Sequence, residues 1–168
     1  MNHSPLLTSL LRYKAWADEQ LIAGLAACLA DCPPAETATA LGLLNHLHIV
    51  DRIFVAHLQG RPHGYRATEA SEAPTASALF DAIRETDRWL VAYAGQMDAQ
   101  AAVEPVDFRF TDGAPGRMSR EEMLGHLVAH GGYHRGEIGR ILTQLTGSSP
   151  RDTFTGYLHE IEPERRAA

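Results

Sequence analysis

Apolar residues recur at helical spacing along four long stretches of this chain, and that periodicity restricts the fold more than any other feature of the sequence. Leu6, Leu7, Leu10, Leu11, Tyr13, Trp16, Leu21, Ile22 and Leu25 mark a first helix that ends before Pro33-Pro34. Leu43, Leu44, Leu47, Val50, Phe54 and Leu58 mark a second, from about Thr39 or Ala40 to Gln59, with Gly60 and Pro62 as stop signals. After a polar stretch from Arg61 to Pro74, a third runs from Thr75 or Ser77 to about Met97 through Leu79, Ile83, Leu90, Val91 and Tyr93. The fourth has the sharpest limits. Ser119 with Glu122 forms a capping box, Gly147 suits the position just past the end, and Pro150 blocks continuation. Its stripe is Met123, Leu127, His134, Ile138, Ile141 and Leu145. Before it, Val106, Phe108 and Phe110 alternate with Asp107 and Arg109, and Thr111-Asp112-Gly113 offers a turn, which is the pattern of a short hairpin. A last helical turn, Phe154 to Ile161, is expected to pack on the outside. The expected fold is all-α: an up-down four-helix bundle with a short extended or hairpin excursion between helices three and four, in one domain over residues 1–168.

A chain of 168 residues can bury a core without disulfides or structural metals, so a bound metal points to function rather than support. The formal net charge of -6 argues against a general nucleic-acid binder. Basic residues are nearly all arginine, and Lys14 is the only lysine. Cys28 and Cys32 read as two small, partly buried thiols, which suits a reducing compartment. Met1-Asn2-His3-Ser4-Pro5 lacks the features of a secretion leader, and no apolar run is long enough to span a bilayer. The expected setting is therefore cytoplasmic, with neither membrane nor nucleic acid as partner.

The nine histidines carry the chemical signal. His126, His130 and His134 follow one another at four-residue steps on one helix, where i and i+4 side chains share a face. His134 falls near the middle of the apolar stripe, His130 a little off it and His126 at its edge. Inward imidazoles are costly to bury unless something satisfies them, and a metal ion does so directly. Two histidines supply at most half a tetrahedral shell, so another helix must contribute. Helix two offers His46, His48, His57 and Asp51; periodicity alone does not choose between His46 and His48. Asp51 lies close to the stripe centre and needs a buried partner, for which an imidazole N–H is apt. His3, His63 and His159 read most simply as surface residues, and His57 as a flank residue. There is no HExxH, no GxSxG, no phosphate-binding glycine loop and no paired CxxC.

Three segments carry a family resemblance. They are Tyr13-Lys14-Ala15-Trp16-Ala17-Asp18, Leu44-Asn45-His46 with Asp51-Arg52-Ile53-Phe54, and His126, His130 and His134 followed by Arg135-Gly136-Glu137. In this order the chain resembles the DinB family of metalloenzyme-like proteins, from about Leu6 to Thr146. The resemblance implies a four-helix bundle, often dimeric, with one metal ligand from helix two and two from helix four. Carried over, these are His46, His130 and His134. It also implies a divalent ion (zinc, nickel, iron or manganese), a small-molecule substrate such as a low-molecular-weight thiol, and a thiol-transfer or hydrolytic reaction. The alternative is a non-catalytic, damage-inducible metal-binding dimer. Departures from the family pattern are Asp18, Phe54, Tyr133 and Glu137; none removes a ligand. His126 and Glu137 are the candidates to move a proton; Glu137, one turn beyond His134 and on a face similar to that of His130, also suits a fourth ligand or, more simply, a polar rim residue that orients a histidine. Asp51 is expected to support the site without binding the ion. Tyr13 and Trp16 present large rings that one core need not cover, which adds to the expectation of a homodimer.

Overall fold

The computed structural model describes residues 5–69 and 74–166. Among these, the chain forms α1 (Pro5–Cys28), α2 (Pro34–Leu58), α3 (Ala76–Gln96), a single turn α4 (Ala99–Ala102), β1 (Pro105–Arg109), β2 (Pro115–Ser119), α5 (Arg120–Thr146) and α6 (Phe154–Ile161), then a 3-10 turn, Pro163–Arg166. It is thus a mostly helical fold with one small hairpin. His3 and the other residues before Pro5 lie outside the described part. The second helix begins earlier than expected, at Pro34 rather than Thr39. Proline is favoured at the first helical position because its fixed φ fits and its missing N–H would have no partner there.

Local chemistry sets the other limits. The Thr75 side chain accepts from Ala78 N–H and starts α3. At α5, Ser119 and Glu122 close a reciprocal capping box, and Gly147 ends the helix at φ 82°. The hairpin is antiparallel, with Phe108 opposite Gly116. A Cβ at Gly116 would lie 2.6 Å from the Phe108 ring, so this ring can fold over the strand only at a glycine.

Helix α1 packs on α3 and α5, and α2 packs on α5. The core falls into two apolar clusters. One holds Leu7, Leu11, Ile53, Phe54, Leu90, Phe108, Met123 and Leu127. The other holds Leu21, Leu25, Leu44, Ile83, Ile138 and Leu142. Between them along the helices lie buried charges: Lys14 and Asp18 on α1, Asp51 on α2, Asp87 on α3 and Arg135 on α5.

One expectation is corrected. Cys28 and Cys32 are not free thiols but a disulfide. Cys32 N–H bonds to Cys28 O, so the chain keeps a helical turn past the end of α1 and brings the two side chains to one face, with Cα atoms 5.3 Å apart. The cysteines therefore lend no support to a reducing compartment. The chain itself packs against Tyr13 and Trp16, and both stay partly exposed. Helix α6 folds back over α1, bringing the Phe154 and Tyr157 rings 5.5 and 6.1 Å from Tyr13, while Trp16 Nε1 donates to Glu160. No helix of the described residues is long and apolar enough to cross a membrane.

Candidate metal centre

His46 from α2 and His130 and His134 from α5 converge. Each offers one ring nitrogen, and these atoms all lie within 4.8 Å of one another. Ring centroids are 5.4 Å apart for His46–His130, 4.7 Å for His46–His134 and 4.5 Å for His130–His134. Two of the rings are held from behind. His46 Nδ1 donates to the Thr68 carbonyl at 3.1 Å, and His134 Nδ1 donates to Glu137 Oε2 at 2.7 Å. These bonds set the tautomer and leave Nε2 of both rings as lone-pair donors, the usual support for a metal-bound imidazole. His130 Nδ1 is buried and has no partner. Burial first, then the neighbouring His134, His126 and His46, lower its pKa to about 4, so the ring stays neutral. Three convergent imidazoles, one with an unsatisfied buried nitrogen, fit a divalent transition ion. Helical spacing alone did not choose between His46 and His48. The fold does: His48 lies buried on another face, its Nδ1 also without a partner.

One side of the triad is open. His46 and His134 line a cavity of about 470 Å³ with Thr39, Gly42, Leu43, Asn45 and Glu69. Its walls are mostly apolar, with the Asn45 amide and the Glu69 carboxylate as polar groups beside the imidazoles.

His126 does not join the triad. Its ring stacks at 5.4 Å from His130 and lies 4.8 Å from Phe54. Burial lowers its pKa. Asp51 lies deep in the core, where its contact is with Lys14 rather than with an imidazole: Nζ sits 2.7 Å from Oδ2. His63, read as a surface residue, is half-buried against His57.

The sequence reading missed the role of Lys14. Its Nζ also lies 2.8 Å from Asp18 Oδ2 and 2.8 Å from Asp87 Oδ1. Three buried carboxylates from α1, α2 and α3 thus surround one ammonium. They are spaced as if for a metal, but Lys14 occupies the cation's place. Arg135 completes the layer from α5, donating to Asp18 at 3.0 Å and Asp152 at 2.8 Å. Burial pulls the Lys14 pKa down, but the three carboxylates outweigh it and hold it well above its ordinary value. Burial also raises Asp18, yet Lys14 and Arg135 together keep it below the usual range. Asp51 and Asp87 make no hydrogen bond to Arg135, and burial pushes them up to about 6 and about 7. Gly131, next to His130, makes room for this layer: a Cβ there would lie 2.9 Å from the fixed Arg135 Nη1. The signal was present in the sequence, since Lys14, Asp18 and Asp87 interrupt apolar stripes at positions that should face the core.

A helical fold whose second and last long helices bring three imidazoles together defines a histidine-triad protein with room for one metal ion. The DinB family profile matches residues 1–166, and the chain belongs to the DinB family. No curated protein matches it.

Proposed function

We propose that the protein is a metal-dependent enzyme acting on a small molecule, with His46, His130 and His134 as ligands and α1, α2, α3 and α5 as an up-down four-helix bundle. The observation that carries this is the open face of the triad: two of its three imidazoles also form the wall of a cavity of a size for a small substrate. A closed, protein-saturated shell would suit a structural ion; three protein ligands and an open position suit catalysis.

When bound, a divalent ion supplies Lewis acidity that lowers the pKa of a water or thiol beside it. The protein's own residues do the rest. Thr68 and Glu137 hold the His46 and His134 rings. Asn45 offers a donor and an acceptor to a polar substrate, and Leu43 contributes apolar contact. Glu137 or His126 moves the proton. Thiol transfer to an electrophile, with a low-molecular-weight thiol as co-substrate, is the preferred reaction, and hydrolysis is the second. A homodimer rests on the family resemblance.

The test is elemental analysis of the full chain purified without a metal-binding tag, followed by a screen of thiols against electrophiles. One bound ion, lost in His134→Ala with helix content retained, and turnover dependent on that ion support the reading. An ion that survives loss of His46 or His134 overturns the ligand set. A tightly bound ion with no turnover of any thiol or ester supports the non-catalytic alternative.

A further inference from the structure

His57 ends α2 and His63 lies in the segment after it. His57 Nε2 and His63 Nδ1 are both buried and both without a hydrogen-bond partner. Their rings are 5.1 Å apart at 79°. That separation falls within the 4.5–5.4 Å range of the triad's own rings. A buried imidazole nitrogen left unpaired is disfavoured, and two such atoms on adjacent, edge-to-face rings call for a shared partner.

We propose that His57 and His63 hold a second divalent transition-metal ion, separate from the triad. His57 lies eleven positions after His46 on α2, about 16 Å at the helical rise, so one ion cannot serve both. The surroundings fix its chemical class. Phe108 lies 4.8 Å from His57 and Tyr65 lies 6.2 Å from His63, and both His57 Nε2 and His63 Nδ1 lack a partner among the described residues. Two imidazoles in an aromatic setting select zinc, nickel or copper over magnesium or calcium, which need oxygen ligands. Water or a small anion completes the shell, so this ion binds more weakly than one in the triad.

The position gives it a consequence. The segment that carries His63 continues to Thr68, whose carbonyl holds His46, and to Glu69 on the cavity wall. An ion that ties His63 to α2 anchors the start of this segment.

The test is equilibrium dialysis of the full, chelator-stripped chain against zinc, with bound zinc counted per chain and helix content followed in parallel. Two equivalents are expected for the wild type and one for His63→Ala, which alters a residue outside any helix. His134→Ala should keep one equivalent, and His63→Ala combined with His134→Ala should keep none. His57→Gln should repeat the loss seen with His63→Ala. Saturation of the wild type at one equivalent that disappears in His134→Ala overturns the proposal. So does a second equivalent that survives both His63→Ala and His57→Gln. Loss of the triad equivalent alone leaves this site standing, so the two readings fail separately.

Discussion

Lys14 Nζ lies 2.7 Å from Asp51 Oδ2, and both side chains are sealed from water. The same ammonium reaches Asp18 and Asp87, so one side chain on α1 joins three helices. Removing it strands buried carboxylates. Lys14→Met should lower the stability of the fold by about 3–5 kcal/mol, the scale for breaking a buried ion pair. Urea unfolding followed by circular dichroism reads this directly. Adding Asp51→Asn and Asp87→Asn to Lys14→Met should recover part of the loss, because Asp18 keeps Arg135. A Lys14→Met midpoint equal to the wild type would show that the layer contributes no stability.

Asp87 gives this layer a pH signature. Burial raises its pKa from 3.8 to about 7, with Lys14 pulling down and Asp18 and Asp51 pushing up. Below pH 3.8 the group is protonated in both folded and unfolded chains, and its contribution is fully present. As pH rises toward 7 the unfolded chain releases the proton while the folded chain retains it, so stability is lost. Asp87→Asn does not titrate. It should therefore gain on the wild type between about pH 4 and 7, in unfolding free energies measured across that range. A wild type that gains on the variant instead would mean that Lys14 outweighs burial.

His48 acts in the opposite sense. Burial, then Arg52 and Lys14, lower its pKa from 6.5 to about 4. Its contribution is present above pH 6.5 and is lost as pH falls toward 4, where the unfolded chain takes up the proton first. His48→Leu removes that proton uptake together with an unpartnered buried nitrogen. Its unfolding free energy should fall less than that of the wild type between pH 6.5 and 4. Parallel profiles would count against a neutral, buried His48.

Glu137 holds His134 by a 2.7 Å bond, and that contact should appear in metal affinity. Loss of such an orienting partner weakens metal binding about 10–100-fold. Glu137→Ala should show this in competition dialysis, whereas Glu137→Gln, whose amide oxygen still accepts from Nδ1–H, should retain most of the affinity. If Glu137→Gln keeps the ion but loses turnover, Glu137 is the base. If it keeps both, His126 takes that role.

Much of the fold was legible in the sequence because helices declare themselves locally. The Ser119 capping box, the Gly147 end, the period-two residues Val106, Phe108 and Phe110, and the short helix at Phe154 all depend on neighbours a few positions away, and each appears where expected. The His130–His134 pair was legible for the same reason, since one turn of helix brings i and i+4 together. What lay beyond the sequence depended on which helix faces which. Spacing left His46 and His48 equal; the family resemblance pointed to His46, and the packing of α2 on α5 is what turns it toward the pair. Asp51 was assigned an imidazole partner because the sequence cannot show that a lysine, far away in the chain, arrives at the same depth. Cys28 and Cys32 were read as thiols because a pair at four-residue spacing bonds only if the chain keeps its helical turn past the helix end. His63 was read as solvent-facing, and only the path of the segment after α2 buries it against His57. Local periodicity thus determined the elements and one half of the site. The tertiary structure decided the contacts between elements, Lys14 with Asp51 and Asp87 and His46 with the α5 pair, because those form between side chains whose separation is set by packing and not by sequence distance.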